Sequence, residues 1–204
     1  MNIKWLILIL VWSHSANSTN NVMNSDITSK EADTLINSFE FEIGKGTFKQ
    51  SKSFKFMSMP IISHGDFIID GERVLWKTTE PVNSSILLAD GAVYKKNTAD
   101  NEFKLLVKES PINHMLSAIL TGNIDLNNWS VSTSKMHDDV IPCLTMLPKS
   151  QQLMSIFTSA TLCIESDKQR EVVLLDKQQN KTLIEMKINH KLLTVEDKLS
   201  LETP

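Results

Sequence analysis

Phe67-Ile68-Ile69-Asp70-Gly71-Glu72-Arg73-Val74-Leu75-Trp76 is the stretch on which the fold turns. Two short apolar runs flank Asp70-Gly71, where glycine supplies the positive φ of a tight turn, so the stretch predicts a β-hairpin. A second Asp-Gly pair, Asp90-Gly91, separates Ile86-Leu87-Leu88 from Ala92-Val93-Tyr94 in the same way. A third turn is expected at Asn97-Thr98-Ala99-Asp100-Asn101, ahead of a strand from Phe103 to Val107. Upstream, the residues after Gly44 alternate: Phe48, Gln50, Lys52, Phe54 and Phe56 interleave with Lys49, Ser51, Ser53 and Lys55. That is strand spacing. Successive short strands joined by tight turns make an antiparallel meander.

Helical signals bracket this meander. Thr28-Ser29-Lys30-Glu31 fits a capping box, and Ala32, Leu35, Ile36 and Phe39 then recur at helical spacing, giving a first helix over about 29–40. Ser110-Pro111 opens a second helix, with serine as N-cap and proline at the first helical position. Ile112, Met115, Leu116, Ile119 and Leu120 form its apolar stripe, and Gly122 stops it. Strands resume at Trp129. Val140 to Leu147 and Ala160 to Glu165 are neighbours, joined through Pro148 and a short helical turn containing Leu153, Met154, Ile156 and Phe157. Glu171 to Asp176 and Thr182 to Ile188 form a last hairpin around Lys177-Gln178-Gln179-Asn180. Thr194-Val195-Glu196-Asp197 caps a short terminal helix reaching Leu201. No repeat, linker or composition break divides the chain, so residues 19–204 are expected to be one domain.

The chain has 204 residues, 41% hydrophobic and 22% charged, with a formal net charge of −3. This is a globular balance with no long Lys/Arg run, so neither wholesale disorder nor a nucleic-acid footprint is expected. Lys4 precedes the apolar run Trp5-Leu6-Ile7-Leu8-Ile9-Leu10-Val11-Trp12, and small polar residues follow from Ser13 to Ser18. These are the three regions of a secretory signal, expected over 1–18, with several small-residue cut points left open. The run spans only about 12 Å as a helix, far short of a bilayer core. The mature product is therefore expected to be soluble in an oxidising compartment. There the two cysteines, Cys143 and Cys163, either form one bridge or stay two buried thiols. A bridge is expected if Pro148 and the turn after it let two strands return antiparallel.

No catalytic constellation stands out. Gly44-Lys45-Gly46 is too short for a phosphate loop, and no Gly-x-Ser-x-Gly elbow exists. His64, His114, His137 and His190 are scattered, and His137-Asp138-Asp139 reads as a polar loop before a metal site. Neither enzyme activity, cofactor nor metal is expected. The unusual feature is the concentration of Phe48, Phe54, Phe56, Met57, Met59, Phe67, Leu75 and Trp76 around the first hairpins. Aromatic and Met-rich surfaces suit apolar ligands of variable shape. The same residues also suit the core of a β-sandwich.

Three spaced patterns carry a resemblance: Gly46-x-Phe48-x-Gln50-x-Lys52, Pro60-x-x-Ser63-x-Gly65-x-Phe67, and Leu75-Trp76-x-x-x-x-Pro81. Together with Asp90-Gly91 before Tyr94, and with Met146-Leu147-Pro148 and Lys181-Thr182-Leu183-Ile184 downstream, they resemble the LolA family of periplasmic lipoprotein carriers. The likeness covers about 30–190. It implies an α+β fold: an open, strongly bent antiparallel half-barrel with about three short helices forming a lid over an apolar cavity. It also implies a soluble monomer of the Gram-negative periplasm that shields an acylated lipid or lipoprotein cargo. Such a carrier would pass its cargo from an inner-membrane exporter to an outer-membrane acceptor. Phe48, Phe54, Phe56, Phe67, Ile69, Trp76, Ile86 and Leu88 are expected to line the cavity, faced by Leu35, Phe39, Met115 and Ile119. The family carries an Arg six residues before the Trp as a lid latch, and Asp70 stands there in this chain. That departure, with Phe54-x-Phe56-Met57-x-Met59-Pro60-Ile61, is closer to the divergent branch found with lipid and polyene export systems. The alternative reading is an accessory subunit that docks on an inner-membrane exporter and binds no lipid itself.

Overall fold

A computed structural model describes residues 34, 36–97, 102–108, 111–136 and 141–202. Eleven strands follow one another as β1 (Ile43–Ser53), β2 (Ile61–Asp70), β3 (Arg73–Glu80), β4 (Ser84–Ala89), β5 (Ala92–Asn97) and β6 (Lys104–Val107), then β7 (Trp129–Met136), β8 (Ile141–Pro148), β9 (Phe157–Ser166), β10 (Gln169–Asp176) and β11 (Lys181–His190). Three helices lie between or after them: α1 (Pro111–Thr121), α2 (Gln151–Met154) and α3 (Val195–Leu199). Residues 36–39 are also helical.

All strands belong to one antiparallel sheet in the order β6-β5-β4-β3-β2-β1-β11-β10-β9-β8-β7. Two meanders, β1 to β6 and β7 to β11, meet where β1 pairs with β11, and β6 and β7 are left as edges. The sheet is therefore an open half-barrel. Register shifts at Lys45/Gly46, His64/Gly65, Val93/Tyr94 and Gln169/Arg170 add local bend to the ordinary twist. The two Asp-Gly turns form as expected. Gly71 takes φ 60, while Asp90 and Gly91 take φ 52 and 70, the left-handed pair of a two-residue hairpin.

Pairing across the sheet sorts the side chains into two faces. One row runs Leu144, Leu162, Val172, Ile184, Gln50 and a parallel one runs Met186, Phe48, Gly65, Thr78. With Phe67, Ile69, Val74 and Leu88 these positions make a continuous apolar inner face, which holds the main core. The opposite face carries Cys143 and Cys163, directly paired across β8 and β9 and joined by a disulfide. Closing a loop of that length restricts the unfolded chain by about 3 kcal/mol.

The structure departs from sequence expectation in three places. β1 ends at Ser53, the last residue with a partner on β11, so Phe54 and Phe56 fall in the β1–β2 loop despite their alternation. Phe157 opens β9 instead of closing the helical turn, which is only the four residues of α2. The third departure concerns the terminal helix, which does not roof the inner face. It sits on the other side of the sheet, where Leu201 and Leu193 pack on Leu75, Leu87 and Ala89 in a second, smaller core. Thr194 and Asp197 cap α3 reciprocally, and Lys45 Nζ lies 2.5 Å from Asp197 Oδ2. The signal segment, the Thr28–Glu31 box, Leu35, the turn at 98–101 and His137-Asp138-Asp139 lie outside the described residues.

Candidate apolar binding face

Phe48 stacks on Trp76 with ring centroids 3.7 Å apart, Trp76 stacks on Phe67 at 6.2 Å, and Phe67 meets Phe41 edge-on at 6.4 Å. Four aromatic rings thus form one tier, three from β1, β2 and β3 and Phe41 from the segment before β1. Two glycines make the room. A Cβ on Gly65 would lie 2.0 Å from Lys77 O and 2.8 Å from Phe48 ring atoms, and one on Gly46 would lie 2.0 Å from Lys187 O and 2.9 Å from Phe67 Cζ. The spaced Gly-x-Phe and Gly-x-Phe patterns of the sequence are therefore a packing code: each glycine is overlaid by a ring from the neighbouring strand.

Of the residues expected to line a cavity, the sheet gathers Phe48, Phe67, Ile69, Trp76, Ile86 and Leu88 on the inner face. Phe39 and Ile119 meet them from the helical side. Ile69 is fully buried and Phe48 is 4% exposed. Phe54 and Phe56 are not part of this assembly; Phe56 is 73% exposed, because the loop carries it past the end of the sheet. Met115 lies on α1, but its side chain is outside the described set, as is Leu35.

The helices are fixed over the sheet by polar contacts at hairpin ends. Asn113 Nδ2 donates to Gly91 O at 2.9 Å and to Lys108 O at 3.0 Å, and Ser117 Oγ donates to Glu72 O at 2.9 Å. Phe41 N donates to Thr121 O at 2.6 Å, joining the N-terminal segment to the end of α1. Gly122 follows with φ 78, and a Cβ there would lie 1.9 Å from Phe39 O. The stop signal read from sequence is thus also a close backbone crossing.

Arg170 is the functional candidate that sequence reasoning missed. It projects from β10 onto the inner face, opposite Ile164 and Met186. Its guanidinium donates to the carbonyls of Phe39 and Glu40, which end the helical segment 36–39, and stands 5.1 Å over the Phe41 ring. A cation at a helix C-terminus is favoured by the carbonyls collected there. Burial pushes Arg170 below its usual value, and its Nε has no hydrogen-bond partner among the described residues. Arg170 lies on β10, in the β7–β11 meander, whereas the segment it holds precedes β1. No local pattern marks Arg170, because its partners lie far away in sequence.

Two cavities are lined by described residues. One, of about 460 Å³, runs over the polar face between Lys49, His64, Glu165, Gln169, Glu185 and Lys187. The other, of about 360 Å³, lies beside Phe41, Asp70, Gly71 and Thr121. Neither gathers nucleophile, base and oxyanion donors. Among the described residues no group of three His, Cys, Asp or Glu side chains is placed to hold a metal ion, and no helix is long and apolar enough to cross a membrane.

No protein-family model matches the chain, and no curated protein matches it. Solved structures do. A LolA superfamily protein from Nitrosomonas europaea is similar at 9% identity and a TM-score of 0.46, over 85% of this chain and 97% of that one. A domain from Vibrio parahaemolyticus described as an outer membrane lipoprotein-sorting protein is similar at 8% identity and a TM-score of 0.46, over 84% and 97%.

Proposed function

We propose that this domain is an exported carrier that holds the acyl or other apolar part of a lipidated cargo against its inner face and hands it between membranes. The observation that carries the reading is a continuous apolar sheet face, tiered with Phe48, Trp76 and Phe67 and covered by helical residues held through polar contacts at hairpin ends and through Arg170. Sequestration needs no covalent chemistry, since each CH₂ removed from water is worth about 0.8 kcal/mol. Handing over needs only a partner that binds the opened form better. The setting is the periplasm, with an inner-membrane exporter as donor and an outer-membrane acceptor.

The test is titration with a fluorescent acyl probe, competed by fatty acids of increasing length. Affinity should rise about fourfold for each added CH₂ until the space is full. Trp76→Lys should weaken binding at least tenfold with the circular dichroism spectrum unchanged, because an unpaired charge on that face is costly. Absence of saturable binding in a delipidated, folded sample would end the carrier reading. Close burial of Ile69, Leu144 and Met146 favours, in that case, a packed accessory subunit that docks on an exporter without a ligand of its own.

A further inference from the structure

We infer that the β1–β2 loop is a membrane-docking tip that inserts Phe56, Met57 and Met59 into an anionic lipid surface. Contiguous exposed apolar side chains mark interaction sites, and three stand together here: Phe56 and Met59 are each 73% exposed and Met57 is 42%. Ile61 and Ile62, where β2 begins, are exposed as well, on opposite faces of the strand. The tip is shaped rather than frayed. Met57 N donates to Phe54 O at 3.0 Å, the Phe54 and Phe56 rings lie 5.4 Å apart, and Lys55 N donates to the buried Asn180 Oδ1 at 3.2 Å.

Charge decides the kind of partner. From Gln50 to Ser63 there is no Asp or Glu, and Lys52 and Lys55 lie just before Phe56, Met57 and Met59. Lys181 pairs opposite Ser53 at the base of the loop, and Lys177 follows in the adjoining β10–β11 turn. The acid in that turn, Asp176, is occupied by Gln178 N, Asn180 N and Asn180 Nδ2, all within 2.9 Å. Glu80 lies opposite His64 in the β2–β3 ladder, not in the loop. Exposed phenylalanine and methionine with lysines in the same loop and in the adjoining turn match an acyl boundary beneath anionic headgroups. A protein partner of ordinary affinity would need a far broader face, about 800 Å² on each side. Docking of this kind does not require the inner face to hold a ligand.

The experiment is flotation of protein purified from the soluble fraction, wild type and variants of the same length. Vesicles are of phosphatidylcholine alone or of phosphatidylcholine with phosphatidylglycerol. Wild-type protein should float with the anionic vesicles and bind the neutral ones at least tenfold less. Phe56→Ser with Met59→Ser should cut anionic binding at least tenfold, and so should Lys52→Gln with Lys55→Gln, at about fivefold for each lysine. All these side chains are exposed or half-buried, so circular dichroism should stay unchanged. Phe56→Trp should show a blue-shifted emission increment over wild type only with anionic vesicles. The serine variant should keep acyl-probe binding, so failure of docking and failure of the carrier reading appear in different measurements. Wild-type protein that stays unbound, or a serine variant that floats like wild type, would overturn the inference. So would binding that requires protease-sensitive components of native membranes, which would make the partner a protein.

Discussion

Arg170 shows how one side chain can hold a short helical segment in place. Its donors satisfy carbonyls at the end of the segment 36–39, while its stem crosses the apolar inner face and its charge lies over Phe41. Arg170→Met keeps a long apolar stem but removes both donors, leaving helix-end carbonyls unpaired. The expected loss is about 1–3 kcal/mol, or roughly 3–10 °C in Tm for a domain of this size. Amide exchange at residues 36–41 should speed up more than exchange in β8 and β9. A variant as stable as wild type, with unchanged exchange, would show that the helical segment is held by apolar packing alone. If the segment moves when cargo enters, the same substitution should also raise the acyl-probe association rate.

At the scale of elements, α3 is a short helix anchored by one ion pair and its own cap. Thr194 N and Oγ1 donate to Asp197 Oδ2, Asp197 N donates back to Thr194 Oγ1, and Lys45 completes the site. The hydrogen bond from Lys45, then that from Thr194 N, hold the Asp197 carboxyl below its usual range. A carboxyl depressed by folding adds stability that is present above its unfolded value, near pH 4, and lost as pH falls through the folded value. Asp197→Asn keeps a capping acceptor and removes the charge. Its Tm should lie about 1–3 °C below wild type near neutral pH, and the two curves should converge below pH 4. Curves that stay parallel down to acid pH would contradict the coupling. The elements themselves were largely legible: Asp70-Gly71, Asp90-Gly91, Gly122 and Thr194-x-x-Asp197 are local codes, readable because each acts within a few residues. The end of β1 was not legible. Alternation through Phe54 and Phe56 continues past Ser53, but both partner strands stop there: β2 pairs only to Lys52 and β11 only to Ser53.

The whole molecule depends on one junction. β1 pairs with β11 over nine residue pairs, including Phe48 with Met186, and this single ladder joins the two meanders. Contacts between the two ends of the chain form late, because a long loop must close before they are rewarded. Refolding from denaturant should therefore take milliseconds to seconds, as read by stopped-flow Trp fluorescence. Met186→Ala, at a position only 2% exposed, should cost about 2–5 kcal/mol. Microsecond refolding would contradict this account. The sequence by itself determined the hairpins, the helix stops and the spacing that resembles the LolA family. Period, turn chemistry and residue size are local properties. Which face α3 covers, which cation grips the helical end and which aromatics stay outside the core were decided only by the tertiary structure. Those outcomes depend on pairing between residues far apart in the chain, where no local preference reaches.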